Sequence, residues 1–313
     1  MELISPSQNH VADKEKQSAA LSSVVAAIAL TTLKIIVGIT TGSLGILAEA
    51  AHSGLDLIAA LVTFFAVRVS GKPADQEHLY GHGKIENISA LFETLLLLAT
   101  CVWIIYEAIQ RLFFRNVVVK ASIWSFLVMM TSIVIDYSRS RILYRAARKY
   151  NSQALEADAL HFSTDIWSSS VVILGLVLLK VGEWIPTLSF LDKADSVAAL
   201  FVAMIVVYVS IELGIRTVRG LLDTAPTGSV GKIIQAVEEL EGVIDCHQVR
   251  VRMAGPYTFV DAHVLVNGNQ TLYEAHDLTE KIEKVITQVI PGADVTVHPE
   301  PAPRDLPGEI NGS

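Results

Sequence analysis

Thiols are scarce in this sequence: 313 residues hold two cysteines, Cys101 and Cys246. A disulfide framework and a four-thiolate zinc site are both excluded. Charge is thin as well, at 18% of residues, and its balance is negative, −8 at pH 7. That argues against a nucleic-acid partner, which calls for clustered Lys and Arg. No HExxH-type arrangement of a zinc hydrolase is present, and no internal repeat or low-complexity segment. The N-terminus, with Glu2, Asn9, His10, Asp13, Lys14, Glu15 and Lys16, is too polar to read as a cleaved signal peptide.

What the chain has in excess is apolar sequence, 51% of residues, with a mean hydropathy of +0.46. Six runs can cross a hydrocarbon core of about 30 Å. They cover roughly Leu21–Ile39, Leu44–Val67, Ile88–Ile109, Ala121–Ile135, Ala157–Val181 and Ser196–Leu213. In lipid each backbone polar group must be satisfied internally, so these runs are expected as helices. The expected fold is an all-α six-helix membrane bundle over 18–220, preceded by a cytoplasmic segment, 1–17. With the N-terminus inside, twelve Lys or Arg fall on the cytoplasmic face and five on the outer connections, which fixes both termini as cytoplasmic by the positive-inside rule.

The grammar changes after Leu222. Residues 1–223 hold 18 basic against 19 acidic residues, whereas 224–313 hold six against 13, so an acidic soluble unit follows a near-neutral membrane unit. Val230–Leu240 reads as an amphipathic helix, and His247–Met253 and Tyr257–Val266 as strands about a Gly255-Pro256 turn. A second helix over 272–290 and a strand Asp294–His298 complete the order α-β-β-α-β, a small layered α+β domain over 221–300 with a loose, Pro-rich tail over 301–313.

The polar residues inside the apolar runs carry the chemistry. His52 and Asp56 lie in the second span and His161 and Asp165 in the fifth, each pair at i,i+4 and so on one helical face. Either pair alone is explained equally well by a local hydrogen bond or a pore lining. Two identical pairs in different helices offer two imidazole nitrogens and two carboxylates, a set suited to tetrahedral Zn²⁺. Ionisable groups at membrane depth are functional candidates by default. Glu49 and Asp158, three residues before each histidine, are candidate acceptors for orienting the imidazoles, with helix-end solvation or interhelical hydrogen bonding as the equal alternative. Lys34 and Glu93 each require a partner in the bundle interior or a path to an interface.

Two further histidine groups stand outside the spans. Asp75, His78 and His82 share a short loop in which Gly81 and Gly83 allow the chain to fold back; a solvated loop explains the same composition. In the tail, His247, His263, His276 and His298 fall near Asp277 and Glu300. Imidazole with carboxylate suits Zn²⁺ or Co²⁺ better than Mg²⁺ or Ca²⁺. His247 shares strand parity with Val249, Val251 and Met253, which reads equally as a satisfied interface residue.

Taken together, Gly42-Ser43 before His52-x3-Asp56, the Pro73-Ala74-Asp75…His78…Gly81-His82-Gly83-Lys84…Glu86 loop, Asp158-x2-His161-x3-Asp165 and Leu221-Leu222-Asp223-x2-Pro226 resemble the cation diffusion facilitator family over nearly all of 18–300. The resemblance implies a homodimeric metal/proton antiporter with a ferredoxin-like cytoplasmic domain, and the lack of a targeting segment with the compact length points to a bacterial inner membrane. It would export Zn²⁺ from the cytoplasm by alternating access, with Cd²⁺, Co²⁺, Fe²⁺ or Mn²⁺ as further cations and membrane lipid and protons as the other partners. It places transport at His52, Asp56, His161 and Asp165, a loop metal at Asp75, His78 and His82, a regulatory tail site at His247, His263, His276, His298 and Glu300 with Asp277 beside it, and a junction salt bridge at Lys84 and Asp223. Many bacterial relatives carry Asp where this chain has His52, and the His2Asp2 set resembles zinc-selective organellar members. Relatives often have Gln and Asp where Pro299 and Glu300 follow His298.

Overall fold

A computed structural model describes residues 6–113, 123–184 and 194–302. The chain divides into two compact units, one within 10–218 and one beginning at Arg219. Among the described residues the first unit holds six long helices: α1 (Pro6–Thr41), α2 (Leu44–Ser70), α3 (Lys84–Phe113), α4 (Ile123–Tyr150), α5 (Gln153–Trp184) and α6 (Ala194–Leu221). Among the described residues, four stretches are long and apolar enough to cross a membrane, in α1, α2, α3 and α6. The other two expected spans are also helical, but α4 runs 15 residues past the expected end at Ile135. Its second half carries Asp136, Arg139, Arg141, Arg145, Arg148 and Lys149. Hydropathy records where a helix leaves lipid, whereas the backbone ladder continues until a residue ends it. Parts of the expected spans Ala121–Ile135 and Ala157–Val181 lie outside the described residues or side chains.

The breaks between helices follow from local chemistry. Gly42 takes φ +64°, and the Ser43 N–H donates back to the Gly38 carbonyl at 3.1 Å, closing α1 with a left-handed cap. Ser43 then caps α2, its hydroxyl accepting from the Ile46 N–H at 3.4 Å. Gly38 permits the approach of the two helices, because a Cβ there would lie 2.8 Å from the Leu47 side chain. Asn151 serves at the end of α4 with φ 50°, and the Ser152 N–H reaches the Ala147 carbonyl at 3.0 Å.

Small side chains let α1, α2, α4 and α5 approach closely: Ala19, Ala20, Val67, Leu143, Ala147, Ala154, Leu155, Ala159 and Phe162 form one buried cluster. Beside it Lys16 and Glu86, 2% and 0% exposed, pair at 3.2 Å. Asp13 also meets Lys16, at 3.1 Å, and Glu86 accepts from Ser70 at 2.8 Å and from Ser152. One carboxylate thereby joins α1, α2, α3 and the α4–α5 turn.

The second unit comprises α7 (Ser229–Glu238), β1 (Val243–Ala254), β2 (Tyr257–Val266), α8 (Leu272–Val289) and β3 (Asp294–Pro301). The sheet order is β1-β2-β3, with β1 antiparallel and β3 parallel to β2. Ile233, Val237, Leu278, Ile282 and Ile286 cover Val260, Ala262, Val264 and Val266, so both helices lie on one face of the sheet. Thr271 and Glu274 form a reciprocal capping box at the start of α8.

Strand β1 starts at Val243, four residues ahead of its expected start, and is interrupted between His247 and Arg250, where Gln248 takes φ 48°. That bulge corrects the expected parity. Cys246 and Val251 both face the helices although five residues separate them, so His247 lies on the open face, opposite Val251.

Removing one partner of a buried ion pair leaves an uncompensated charge, at a cost of about 3–5 kcal/mol. Lys16→Met or Glu86→Gln should therefore sharply lower the thermal unfolding midpoint in detergent. The Lys16→Met/Glu86→Met double variant should recover part of that loss, because the one ion left without Lys16, Asp13, is partly exposed to water.

Candidate metal sites

Helix α2 carries His52 and Asp56 one turn apart, and α5 carries His161 and Asp165 in the same way. The packing of α2 against α5 brings the two faces together. Ligand atoms of His52, Asp56 and Asp165 all lie within 4.8 Å of one another. His52 Nε2 stands 3.8 Å from an oxygen of each aspartate, and His161 Nε2 stands 3.2 Å from Asp56 Oδ1 and 3.7 Å from Asp165 Oδ2. Asp56 and His161 are buried. Two nitrogens and two carboxylates thus converge from separate helices, with spacing that a small inward movement would convert into coordination distances.

Behind this set lies a residue whose partner the sequence reading left open. Glu93 of α3, fully buried, accepts from the Thr63 hydroxyl at 3.2 Å, and its other oxygen faces His161 Nδ1 at 3.8 Å. Neither facing atom has another hydrogen-bond partner. A carboxylate in that position favours a proton on Nδ1 and leaves Nε2 free toward the aspartates.

The two expected orienting residues stand elsewhere. Glu49 pairs with Lys34 at 3.4 Å, and Lys34 donates to Ser53 at 2.8 Å. Asp158 accepts from Ser23, which accepts from Arg139 at 3.1 Å, while Arg139 pairs with Asp136 at 3.2 Å. Both residues serve interhelical hydrogen bonding, the alternative left open for them. Lys34 thus reaches the exposed Glu49 and the buried Ser53, whereas Glu93 meets Thr63 and His161 in the bundle interior. The signal missing from the sequence was three-dimensional, since Glu93 and His161 sit 68 positions apart on different helices.

The loop group also converges. Asp75 lies 3.5 Å from His78 Nδ1 and 3.4 Å from His82 Nε2, and the imidazole centroids are 4.4 Å apart. The Asp75 carboxylate accepts from the backbone N–H groups of His78 at 2.7 Å and Glu77 at 3.0 Å. Those contacts, the His78 N–H above all, hold its carboxyl below the usual carboxylate range, with further help from the charge of the two histidines. Gly81 supplies the left-handed residue, φ +76°, that returns the loop. Lys84 opens α3 just beyond it, and Asp223 follows α6 with φ 56°.

In the second unit, His247, His263 and His298 occupy one line across three strands, in register pairs His247↔His263 and His263↔His298. Glu300, two residues on from His298 and on the same face, lies 2.7 Å from His263 Nδ1, 3.4 Å from His247 Nε2 and 3.7 Å from His298 Nε2. The hydrogen bond from His263, then the charge of the three imidazoles, holds Glu300 below its ordinary pKa. Asp245, which the sequence reading passed over, meets His247 Nδ1 at 2.8 Å; its i,i+2 strand spacing was the available signal. His276 is not part of this cluster: it lies exposed on α8 beside Glu280 at 3.8 Å, and Asp277 is exposed next to it. Helix α8 covers the opposite face of the sheet, so closeness in sequence pattern does not become closeness in space within one chain.

A multi-helix membrane unit with metal-ligand faces turned inward, joined to a small α+β domain, defines a membrane transporter of divalent metal cations. The family profile of the cation efflux transmembrane domain matches residues 20–222, and that of the cytoplasmic domain of cation efflux proteins matches 225–302. The chain belongs to the cation efflux family; it is an integral membrane transporter and not an enzyme. Among its relatives is the cation-efflux pump FieF of Yersinia enterocolitica, 32% identical over 288 residues, covering 91% of this chain and 92% of the relative. FieF of Salmonella arizonae is 31% identical over 296 residues, covering 92% and 94%. A solved structure of CzrB is 31% identical and covers 25% of this chain and 98% of its own, with a TM-score of 0.24.

Proposed function

We propose that this protein exports Zn²⁺ from the cytoplasm in exchange for H⁺, with His52, Asp56, His161 and Asp165 as the transport site. The observation that carries this reading is the convergence of four donors, two imidazole and two carboxylate, from α2 and α5. More nitrogen in the set favours Zn²⁺ over Mn²⁺ and Fe²⁺. Zinc enters from the cytoplasm, sheds water and binds neutral imidazole and ionised carboxylate, so its arrival releases protons. Movement of the helices then opens the site to the other side. Protons there compete for the same imidazole nitrogens and carboxylate oxygens that held the metal. Return of the protonated site completes the cycle. Metal and proton occupy the same atoms in turn, which couples the two fluxes without a separate relay.

The same reading makes the protein a homodimer of the bacterial inner membrane with both termini cytoplasmic. The donor set His247, His263 and Glu300, with His298 beside Glu300, fits a regulatory Zn²⁺, and Asp75, His78 and His82 fit a weaker loop metal. Glu93 acts as the acceptor that fixes the His161 ring.

Zinc uptake and proton movement measured together in proteoliposomes test the assignment. Asp56→Ala and Asp165→Ala are expected to abolish both fluxes, and retained zinc transport in Asp165→Ala defeats the proposal. His52→Asp is expected to widen the range toward Cd²⁺, Mn²⁺ or Fe²⁺ in competition assays. Glu93→Ala should weaken zinc binding about 10- to 100-fold by calorimetry, as loss of an orienting partner does, with Glu93→Gln, which keeps an acceptor oxygen, falling between that variant and the parent. Combined loss of His247, His263 and His298 should slow transport or weaken the dimer without eliminating flux.

A further inference from the structure

A groove of about 520 Å³ runs between α4 and α5 on the outside of the bundle. Its α4 wall carries Arg141, Arg145 and Arg148, which at i, i+4 and i+7 share one helical face. Tyr137, Tyr144 and Trp167 complete the lining. The three arginines are exposed, and among the described residues no carboxylate stands within ion-pair distance of any of them. Their neighbours differ: Arg139 is paired with Asp136, Lys149 with Glu15 and Arg216 with Glu156. Three adjacent guanidinium groups repel one another, so the groove is complementary to an anion that several of them can grip at once.

The position in the fold identifies the class of anion. Helix α4 is apolar from Ile123 to Ile135 and basic from Arg139 onward, so the groove lies where α4 leaves the hydrocarbon. Tyr137 and Trp167, 58% and 62% exposed, line the end of the groove nearer the apolar parts of α4 and α5, Trp167 well inside the expected α5 span, where they face acyl chains. A phosphodiester on a glycerol backbone fits: the phosphate meets the arginines, and the acyl chains leave past Trp167 into the bilayer. A soluble phosphate would find the same cations but would leave the aromatic walls facing nothing.

We propose that the α4–α5 groove binds the headgroup of an anionic phospholipid. The floor links this site to the bundle. Ser140 donates to the Ala159 carbonyl at 3.0 Å and shares a hydrogen bond with Ser163 at 2.8 Å. Ser163 lies two residues from both His161 and Asp165, so a headgroup gripped by α4 and seated against α5 braces the helix that carries half of the paired site. The proposal rests on the membrane setting of α4 and α5 and not on which metal is carried.

The test uses the full chain, stripped of lipid in detergent and then titrated with phosphatidylglycerol, phosphatidylcholine or inorganic phosphate. Phosphatidylglycerol is expected to raise the unfolding midpoint of the parent by about 5 °C, the scale of a ligand in large excess over its Kd. Lys149→Gln, which removes a cation of α4 outside the groove, should show the same shift. Arg141→Gln/Arg145→Gln/Arg148→Gln should lose most of it, and should retain at least tenfold less phosphatidylglycerol in native mass spectra. Should that variant not fold, Arg145→Gln alone is the deciding case and is expected to lose at least half of the shift. An undiminished shift in the variant tested overturns the proposal. So does an equal shift of the parent with phosphatidylcholine, or a full shift with inorganic phosphate, which would assign the groove to soluble anions.

Discussion

An ionised side chain buried away from water must find a partner or lose its charge, and this constraint organises the membrane unit. Lys16 and Glu86, both almost fully buried, answer each other across two helices. Arg139 reaches Asp136 directly and Asp158 through Ser23. Lys34 is held by Glu49 and Ser53. Among the described residues, the ion-pair contacts of His52, Asp56, His161 and Asp165 run to one another and to Glu93, with Asp56 and His161 buried. Structural charges are thus matched by residues of opposite sign, whereas the candidate transport site holds two carboxylates whose facing partners are imidazoles. Such a set can be balanced by protons on the histidines or by a divalent ion among them.

Much of this was legible in the sequence because it depends on local periodicity. The i,i+4 spacing places His52 beside Asp56, and His161 beside Asp165, before any tertiary packing is known. Gly42-Ser43 ends one helix and starts the next through residue types that suit a left-handed cap and an N-cap. Alternation in Tyr257–Val266 defines β2 to the residue.

What was not legible depends on distance or on a single backbone angle. No local pattern tells that Glu93 faces His161 or that Glu86 collects Lys16, Ser70 and Ser152. The bulge at Gln248 breaks the alternation on which the face of His247 was judged, and glutamine gives no warning of a positive φ. Helix α4 outlasts its apolar stretch, since its charged half packs on α5 through Ser140, Leu143 and Ala147. His276 shares residue type with the tail cluster but lies on the helix covering the other face.

The turn between α4 and α5 has a mechanical meaning. Ser152 caps α5 and at the same time donates to Glu86, so the first residues of α5 are fastened to the polar knot that also holds α1, α2 and α3. A rod clamped at one end swings rather than slides. His161 lies nine positions along that rod, roughly 13 Å from the clamp at 1.5 Å per residue. A pivot of about ten degrees therefore carries its imidazole by roughly 2 Å, comparable to a zinc–nitrogen bond of about 2.0–2.1 Å. A modest swing of one anchored helix would be enough to make or unmake coordination at the proposed site.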